Sequence, residues 1–356
     1  MAFEEILKAL AKAKSYIFIE CFIIECGYMW SRILKILEEK VSRGIEVRVI
    51  YDDFGCVNRL PLGYFKTLRK KGIHCHAFNR VPLFVNSFTN KRDHRKLIII
   101  DGETAFVNSF NIGDEYVNRE PCFGHWKDNS VLIAGEAVQG VVSMFLQMWN
   151  LHKRYDVDFK KYIRPATRDC ESDAAGLVQP FSCGPLSSKQ IYESVYLNLL
   201  NCAKREVCVF TPYFVPSNEF LNACKNAAQS GTDVKIVYPG IYDKWYTNLL
   251  SRSYFLQTLK AGINIYEYTP GFIHAKSMLV DDVLGVVGTA NIDYRSFYSQ
   301  FEIGVVMSET EAIKQFANDC KETLKNCRKI TIEDCTNTRV SVKLITSFFK
   351  LFRPLF

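Results

Sequence analysis

The sequence predicts an α/β protein built from two similar domains, each with a mixed, mostly parallel sheet flanked by helices. Three observations support this prediction. Apolar segments typical of strands alternate with amphipathic segments typical of helices, which favours parallel pairing. The order of these segments repeats in the second half of the chain. One motif, His-x-Lys-x-x-x-x-Asp, occurs once in each half, at residues 94–101 and 274–281.

The first half begins with a helical pattern at 3–14, where apolar residues recur at helical spacing. Apolar runs rich in β-branched and aromatic residues then predict strands, and periodic segments that stop at Gly44 and Gly72 predict helices. In order, the predicted elements are a strand at 16–24, a helix at 33–41, a strand at 45–51, a helix at 64–71, and strands at 73–78 and 97–100.

The second half repeats these elements in the same order. Residues 203–204, 231–234 and 261–263 match 13–14, 44–47 and 71–73. By this alignment the first half holds about ten extra residues before His94, in a segment that contains the apolar run 81–85. We interpret the repeat as a domain duplication, because two unrelated domains would not explain the matched motif spacing.

A polar stretch with several Pro, Gly and Ser residues separates the two halves. It sets the predicted boundaries. We predict a first domain at 1–165, a linker at 166–186, a second domain at 187–330 that includes an amphipathic helix at 309–326, and a tail at 331–356.

The composition is that of a globular protein, with 48% hydrophobic and 23% charged residues among 356. The net charge of +7 suits an anionic substrate or surface without requiring one. The thirteen Cys lack CxxC spacing, which predicts reduced thiols in a cytosolic compartment and no zinc site. The sequence has neither a run of 18 apolar residues nor the pattern of a signal peptide. We therefore expect a soluble or peripheral protein, or one whose anchor lies upstream of Met1.

The two motifs bring together residues suited to chemistry on a phosphodiester. Each His stands two positions before its Lys on an extended segment, so both side chains share one face. Seventeen residues after each His stands an Asn, and fifteen residues after it stands a hydroxyl. The two sets are His94, Lys96, Ser109 and Asn111, and His274, Lys276, Thr289 and Asn291.

A neutral imidazole is a good nucleophile, and its phosphoramidate is labile. One His can therefore attack phosphorus while the other protonates the departing alkoxide and later deprotonates the acceptor. The Lys, Asn and hydroxyl side chains are candidates to bind the non-bridging phosphate oxygens. Because the sequence shows no carboxylate cluster suited to Mg²⁺ or Zn²⁺, we expect no metal ion and no other cofactor.

Four acidic residues complete the candidate site. Asp128 and Glu302 each open a predicted strand and are candidates to orient the histidines; the alternative is surface charge at a strand edge. Asp101 and Asp281 close the motifs and precede turns. From their position we interpret them as structural residues that cap those turns.

With two such motifs and Asn residues at matched spacing, the chain resembles the phospholipase D superfamily. The similarity extends to its bacterial cardiolipin synthase branch and covers most of the chain. It is most specific in the blocks 93–118, 124–128, 211–216, 252–254 and 271–302.

The resemblance implies two pseudo-symmetric phospholipase D-like domains with one active site at their interface. It implies that two phosphatidylglycerols are joined into cardiolipin with release of glycerol, through a phosphatidyl-histidine and without a metal ion. By this resemblance the catalytic set comprises the nucleophile His94, the acid and base His274, Lys96, Lys276, Asp101 and Asp281. The symmetry of the sequence alone leaves the two histidine roles interchangeable.

Three features depart from the family pattern. Asn108 stands where the family has Gly after the first motif, whereas the second keeps Gly288. Asn tolerates positive φ better than other non-Gly residues, so only a close approach of substrate to that backbone is in question. His125 stands where the family has Tyr before Trp126. The two N-terminal membrane helices common in the branch are not in this sequence.

Two segments indicate contact with a membrane. The stretch 339–356 places basic residues on one helical face and apolar residues on the rest, as in an interfacial helix or in a helix docked on the domain. The run 81–85 would either admit acyl chains or pack as an ordinary loop. With phosphatidylglycerol as substrate, we expect peripheral association with the cytoplasmic side of the cell membrane and no nucleic acid partner.

Two other functions stay open from the sequence. The first is a phospholipase D or a nuclease, in which water is the acceptor. A nuclease groove would interleave basic and aromatic residues, and the modest net charge argues against it. The second is a non-catalytic lipid-binding scaffold, which the intact His and Lys residues argue against. The acceptor lipid and the oligomeric state also stay open.

Overall fold

The structure is a computed structural model and describes residues 2–80, 90–152, 157–163, 175–336, 345–346 and 349–350. The apolar run 81–85 and most of the predicted tail helix lie outside these ranges. Within them, no helix combines the length and the apolar character needed to span a bilayer.

Helices and strands alternate through the first half. They are α1 (Ala2–Lys12), β1 (Tyr16–Cys21), α2 (Tyr28–Ser42), β2 (Glu46–Asp52), α3 (Asp53–Cys56), α4 (Tyr64–Lys70), β3 (His74–Phe78), β4 (Arg92–Asp93), β5 (Lys96–Ile100), β6 (Thr104–Asn108), β7 (His125–Lys127), β8 (Ser130–Ala134) and α5 (Ala137–His152). One sheet has the order β3-β2-β1-β5-β6-β8. The strands β1, β2 and β3 are parallel, and the pairings of β5, β6 and β8 are antiparallel.

The second half repeats this plan with one additional strand at each end. Its elements are β9 (Leu177–Cys183), α6 (Ile191–Cys202), β10 (Glu206–Phe210), α7 (Asn218–Gln229), β11 (Asp233–Pro239), α8 (Trp245–Lys260), β12 (Asn264–Tyr268), β13 (Gly271–Ile273), β14 (Ser277–Val280), β15 (Leu284–Gly288), α9 (Tyr294–Tyr298), β16 (Gln300–Ser308), α10 (Glu311–Lys325), β17 (Cys327–Lys329) and α11 (Ile332–Thr336). The sheet has the order β17-β12-β11-β10-β14-β15-β16, and β9 pairs with β16.

Three apolar cores stabilise this architecture. The central core lies between the two sheets and contains Phe18 and Phe210 from their inner strands and Phe145 from α5. Two outer cores join each sheet to its own helices, α1 and α2 on the first and α6 and α7 on the second. Both faces of each sheet are therefore covered, which is why every residue of β1 and β5 is buried.

The prediction of α/β domains with mixed sheets is confirmed, but the parallel share is smaller than predicted. The motif strands β5 and β14 run antiparallel to β1 and β10, respectively. Three residues, 101–103, connect β5 to β6, and so short a connection permits only antiparallel pairing. In the first sheet, parallel pairing is therefore confined to the strands that helices connect.

The predicted linker at 166–186 is wrong for its second part. Residues Leu177–Cys183 form β9, which runs antiparallel along β16 from Ser308 to Glu302. Pro180 is compatible with a strand at a sheet edge, and its presence concealed this strand in the sequence. The division into a first domain at 1–165 and a second at 187–330 stays a prediction, with the second unit beginning near β9.

Asp101 and Asp281 do not cap their own turns. Each directly follows its motif strand, at the end opposite to the motif lysine. The Asp101 carboxylate accepts hydrogen bonds from the backbone N–H groups of residues 14–16 at 2.8, 2.6 and 2.9 Å. The Asp281 carboxylate accepts from residues 204–206 at 2.9, 2.8 and 2.8 Å. Both residues have positive φ, at 56° and 54°. These contacts hold the start of β1 and β10. Asp101 and Asp281 are therefore structural residues and do not belong to the catalytic set.

Asp101→Asn is expected to lower the free energy of unfolding by about 1–3 kcal/mol. Both Asp101 oxygens accept from backbone N–H groups, so the side-chain NH₂ of Asn would face one of these donors and leave it without an acceptor. Asn tolerates the positive φ, so backbone strain does not confuse the result. Urea unfolding measures the change, with the exposed Asp158→Asn as a control. A variant of unchanged stability whose kcat is lost would restore Asp101 to the catalytic set.

Candidate active site

The two halves of the chain exchange short strands at their interface. β4 of the first half pairs in parallel with the start of β16, and β7 pairs in parallel with β13 of the second half. His94 follows β4, and its backbone N–H donates to the Phe301 carbonyl at 2.9 Å. His274 follows β13, and its backbone N–H donates to the Lys127 carbonyl at 2.7 Å. Each motif histidine is thus held in place by the other half of the chain.

The same exchange places a carboxylate from the opposite half against each imidazole. Both Glu302 oxygens lie 3.0 Å from His94 Nδ1. The Asp128 oxygens lie 3.0 and 3.2 Å from His274 Nδ1. Each carboxylate accepts a hydrogen bond from Nδ1–H, so the ring keeps its proton on Nδ1 and its lone pair on Nε2. Nε2 then points away from the carboxylate. The sequence singled out both acids but gave no indication that the pairing crosses between the halves.

Ser109 and Thr289 support these carboxylates and are not free to bind phosphate. Ser109 Oγ donates to Asp128 Oδ1 at 2.5 Å, and Thr289 Oγ1 donates to Glu302 Oε2 at 2.5 Å. A hydroxyl has one proton to donate, so these two cannot also donate to a phosphate oxygen. Trp126 adds an indole N–H to Asp128 Oδ2 at 2.6 Å, a contact that the sequence did not predict.

The two predicted asparagines lie in different environments. Asn111 is used within the fold: its Oδ1 accepts from the Ile23 N–H at 3.1 Å, and its Nδ2 donates to the Tyr116 hydroxyl at 2.9 Å. Asn291 borders a cleft, and its buried Oδ1 has no hydrogen-bond partner among the described residues. Only Asn291 of this pair presents an unsatisfied side-chain atom beside the cleft.

Lys96 and Lys276 are the central cations of the site. Each is almost completely buried and donates from Nζ to the backbone carbonyl of its own motif histidine. Burial lowers the pKa of Lys96 to about 8 and that of Lys276 well below its ordinary range, because a charged amine is costly away from water. Within the described ranges, no three His, Cys, Asp or Glu side chains converge as metal ligands would.

The two carboxylates differ in charge. Burial raises the pKa of Glu302 to about 8, although Lys96 acts against it. Burial acts to raise the pKa of Asp128 too, but His274 and Lys276 outweigh it and hold that pKa below its ordinary value. Asp128 is therefore ionised at neutral pH, while Glu302 retains a large share of its protons.

Both imidazoles favour the neutral form. Burial, followed by the charges of Lys96 and Lys276, lowers the pKa of His94 well below its ordinary value. Burial lowers the pKa of His274 to about 4, although Asp128 acts in the opposite direction. Since both lysines act on both rings, the two motifs share one electrostatic environment.

A cleft of about 410 Å³ opens beside His94. Phe22 lies against the imidazole, with ring centroids 4.9 Å apart. His274 is instead surrounded by aromatic rings, with centroids at 5.2 Å for Trp126, 5.7 Å for Tyr116 and 5.9 Å for Phe272. The two histidines are equivalent in sequence and nearly equal in exposure, at 8% and 7%, but only His94 lines the cleft.

Two crossed histidine–carboxylate pairs and two buried lysines lie where two similar α/β domains meet. Such a site is typical of an enzyme that transfers groups by chemistry on a phosphodiester. A family described as "Cardiolipin synthase, PLD-like domain" matches residues 6–149 and 196–324. The chain is 43% identical over 353 residues to an uncharacterized protein of Streptococcus mutans serotype c, covering 99% of this chain and 76% of that one. It is 36% identical over 354 residues to a cardiolipin synthase of Geobacillus sp. (strain WCH70), covering 99% of this chain and 70% of the relative.

Among solved structures, a phosphatidylserine synthase of Haemophilus influenzae Rd KW20 has a similar fold. Its TM-score is 0.76 at 13% identity, over 100% of this chain and 93% of that one. This similarity supports the fold alone. The chain belongs to the phospholipase D superfamily, and within it to the cardiolipin synthase family of phosphatidyltransferases.

Proposed function

We propose that the protein transfers a phosphatidyl group from one phosphatidylglycerol to another, which forms cardiolipin and releases glycerol. The observation that carries this proposal is the crossed pairing of two histidines and two carboxylates around Lys96 and Lys276. This arrangement supplies a nucleophile, an acid and a pair of cations to one phosphorus atom.

In the first step, His94 Nε2 attacks the phosphorus of the donor lipid. The P–N bond forms as the P–O bond to glycerol breaks, and His274 gives its Nε2 proton to the departing oxygen, so that glycerol leaves neutral. The lysines offset the charge on the non-bridging oxygens. In its ionised form Glu302 accepts a hydrogen bond from the Nδ1–H of His94, and so it stabilises the positive charge that the ring gains.

In the second step, a hydroxyl of the second phosphatidylglycerol attacks the same phosphorus. His274, now neutral, takes the proton of that hydroxyl as the new P–O bond forms. The P–N bond breaks, and its electron pair returns to His94 Nε2. Two phosphatidylglycerols have then become one cardiolipin and one glycerol, and both histidines have regained their starting protonation.

Three observations support His94 as nucleophile and His274 as acid and base. His94 borders the open cleft. Its pKa is lowered well below the ordinary value, as a nucleophile requires. His274 faces the ionised Asp128, which favours its protonated form. An anionic phosphodiester bound between the lysines adds a further negative charge, which raises the pKa of His274 toward neutrality when substrate is present.

The lipid products test this proposal. Vesicles that contain phosphatidylglycerol are incubated with the protein, and the lipids are separated with His94→Ala and His274→Ala variants as controls. We expect cardiolipin and an equal amount of glycerol. Phosphatidic acid as the sole product would make the protein a hydrolase, and no product from folded protein would make it a scaffold.

The alkaline limb of kcat/KM is expected near pH about 8, because Lys96 loses its proton there instead of near its ordinary pKa of about 10.4. Glu302→Gln should move this limb to lower pH, since the charge of Glu302 raises the pKa of Lys96. Rates measured between about pH 5 and 10 decide this. The surface variant Glu322→Gln should leave the limb in place, and a wild-type limb near pH about 10 would contradict the prediction.

We also propose that the protein docks peripherally on the cytoplasmic side of the cell membrane, with the cleft facing the lipid. Phe54 and Val57 line the cleft and are 53% and 52% exposed; Trp245, next to the cleft residue Lys244, is 61% exposed. Apolar side chains at the mouth of a polar cleft are suited to insertion between lipids. The tail stays a second candidate contact; at its described residues it lies against the domain, where Lys350 Nζ donates to the Ser253 carbonyl of α8 at 3.4 Å.

Vesicle sedimentation tests this docking. The double variant Phe54→Ser/Trp245→Ser should bind anionic vesicles several-fold more weakly, because each change removes apolar area from the lipid contact. Leu132→Ser on β8, which replaces a side chain of similar exposure at 57%, is the matched control. Deletion of residues 339–356 tests the tail separately, and unchanged binding would remove the tail from the proposal.

A further inference from the structure

We infer that Arg295 binds the phosphodiester of the acceptor lipid and so selects an anionic phospholipid over water or a neutral alcohol. This inference rests on the proposed function and names a subsite within it. Arg295 lies on α9 and lines the same cleft as His94. Lys244, at the start of α8, also lines that cleft.

The charge of Arg295 has no ion-pair partner among the described residues, whereas the other cations around the cleft are matched. Arg59 Nη1 lies 2.5 Å from Glu25 and 3.2 Å from Glu115. Lys244 Nζ lies 3.7 Å from Asp243. An unmatched guanidinium at the wall of a cleft is a binding group for an anion, and its planar fork suits a phosphate in particular.

The internal repeat shows that this charge is particular to one side of the site. Arg295 stands 21 residues after His274, and the corresponding residue 21 positions after His94 is Glu115. The same position therefore carries opposite charges in the two halves. Glu115 is neutralised by Arg59, while Arg295 stands open to the cleft. The cleft beside His94 is thus lined by a cation that has no counterpart at the equivalent position of the other half.

That field reaches the reacting atoms. Both Arg295 and Lys244 contribute to the lowered pKa of His94, so both act on the imidazole at the cleft. The proposed function assigns Lys96 and Lys276 to the phosphate that is bound to His94 in the phosphatidyl-enzyme. A second phosphatidylglycerol brings a phosphate of its own, one glycerol length from its attacking hydroxyl. The cleft residue Arg295 is then left to receive this second phosphate.

Water and neutral alcohols lack this charge and gain nothing from Arg295. Charge-assisted hydrogen bonds from Arg295 to the phosphate of a lipid acceptor would therefore increase the fraction of phosphatidyl-enzyme that reacts with the lipid instead of with a small alcohol. Transfer to a lipid and hydrolysis start from the same phosphatidyl-histidine and differ only in the acceptor. By binding an anionic acceptor, the subsite favours transfer to a lipid.

A competition between acceptors tests the inference. Vesicles of phosphatidylglycerol are incubated with ethanol, and the ratio of cardiolipin to phosphatidylethanol is measured. Arg295→Gln should lower this ratio by about tenfold or more, and Arg295→Lys should recover most of it. The exposed Arg43, directly after α2, pairs with Glu39 on the surface, and Arg43→Gln should keep the wild-type ratio.

The ratio does not depend on the amount of folded enzyme, because both products come from the same phosphatidyl-enzyme. An unchanged ratio in Arg295→Gln would overturn the inference while leaving the proposed function intact. A ratio that Arg295→Lys fails to raise above that of Arg295→Gln would also overturn the charge argument. If wild-type protein makes phosphatidylethanol but no cardiolipin, the proposed function itself fails.

Discussion

His94→Ala is expected to lower the rate of phosphatidyl transfer by at least about 10⁴-fold, because it removes the imidazole on which the proposed covalent intermediate forms. The loss should be equally large for every donor, including one with nitrophenol in place of glycerol. Acid quenching with labelled lipid measures the second consequence, the absence of a phosphatidyl-protein adduct.

His74→Ala, at an exposed position of β3, is the matched control and should keep the wild-type rate and the adduct. The assignment of the nucleophile is wrong if His94→Ala still forms an acid-labile adduct. In that case the adduct would be expected on His274, and the two roles would be exchanged.

His274→Ala is expected to lower transfer from phosphatidylglycerol by about 10²–10⁴-fold, the usual contribution of a general acid. Here the choice of donor changes the result. Nitrophenolate leaves without a proton, so a nitrophenyl donor should restore the first step. A burst of nitrophenolate equal to the amount of enzyme should appear, followed by slow turnover, because the acceptor still lacks a base.

The burst distinguishes the two histidines, since His94→Ala should give none with the same donor. Asp128→Asn should resemble a weaker form of His274→Ala, because it removes the charge that favours the protonated ring. A His274→Ala variant without a burst, but folded, would contradict the division of roles.

Much of the site could be predicted from sequence because its residues recur at fixed spacing from two motifs. Spacing identifies residues that belong together along the chain, and it groups His94 with Lys96 and His274 with Lys276. Asp128 and Glu302 are indicated instead by their position at the start of a predicted strand. Neither signal carries information on which half of the molecule a side chain faces. The crossing of Glu302 to His94 depends on β4 and β7, strands of two and three residues that are too short to show any periodicity.

The errors have related physical causes. Ser109 and Thr289 were expected to bind phosphate, since a hydroxyl has the same hydrogen-bonding capacity toward a phosphate as toward a carboxylate. Only the three-dimensional contacts show which acceptor it meets. Asp101 has the same ambiguity, because an acid beside a turn can serve its own turn or a neighbouring strand. Arg295 also escapes prediction from the sequence, because the role inferred for it depends on the absence of an ion-pair partner among the described residues, which spacing does not show.

The strands exchanged between the halves have a consequence for how the duplicated gene segments can change. Neither copy encodes both members of a histidine–carboxylate pair. Replacing the carboxylate of one copy therefore changes the environment of the imidazole of the other copy. Fragments of the chain covering residues 2–163 and 175–336 would each be inactive and would recover function only on association. Substitutions in the two copies are therefore coupled at His94, Glu302, His274 and Asp128.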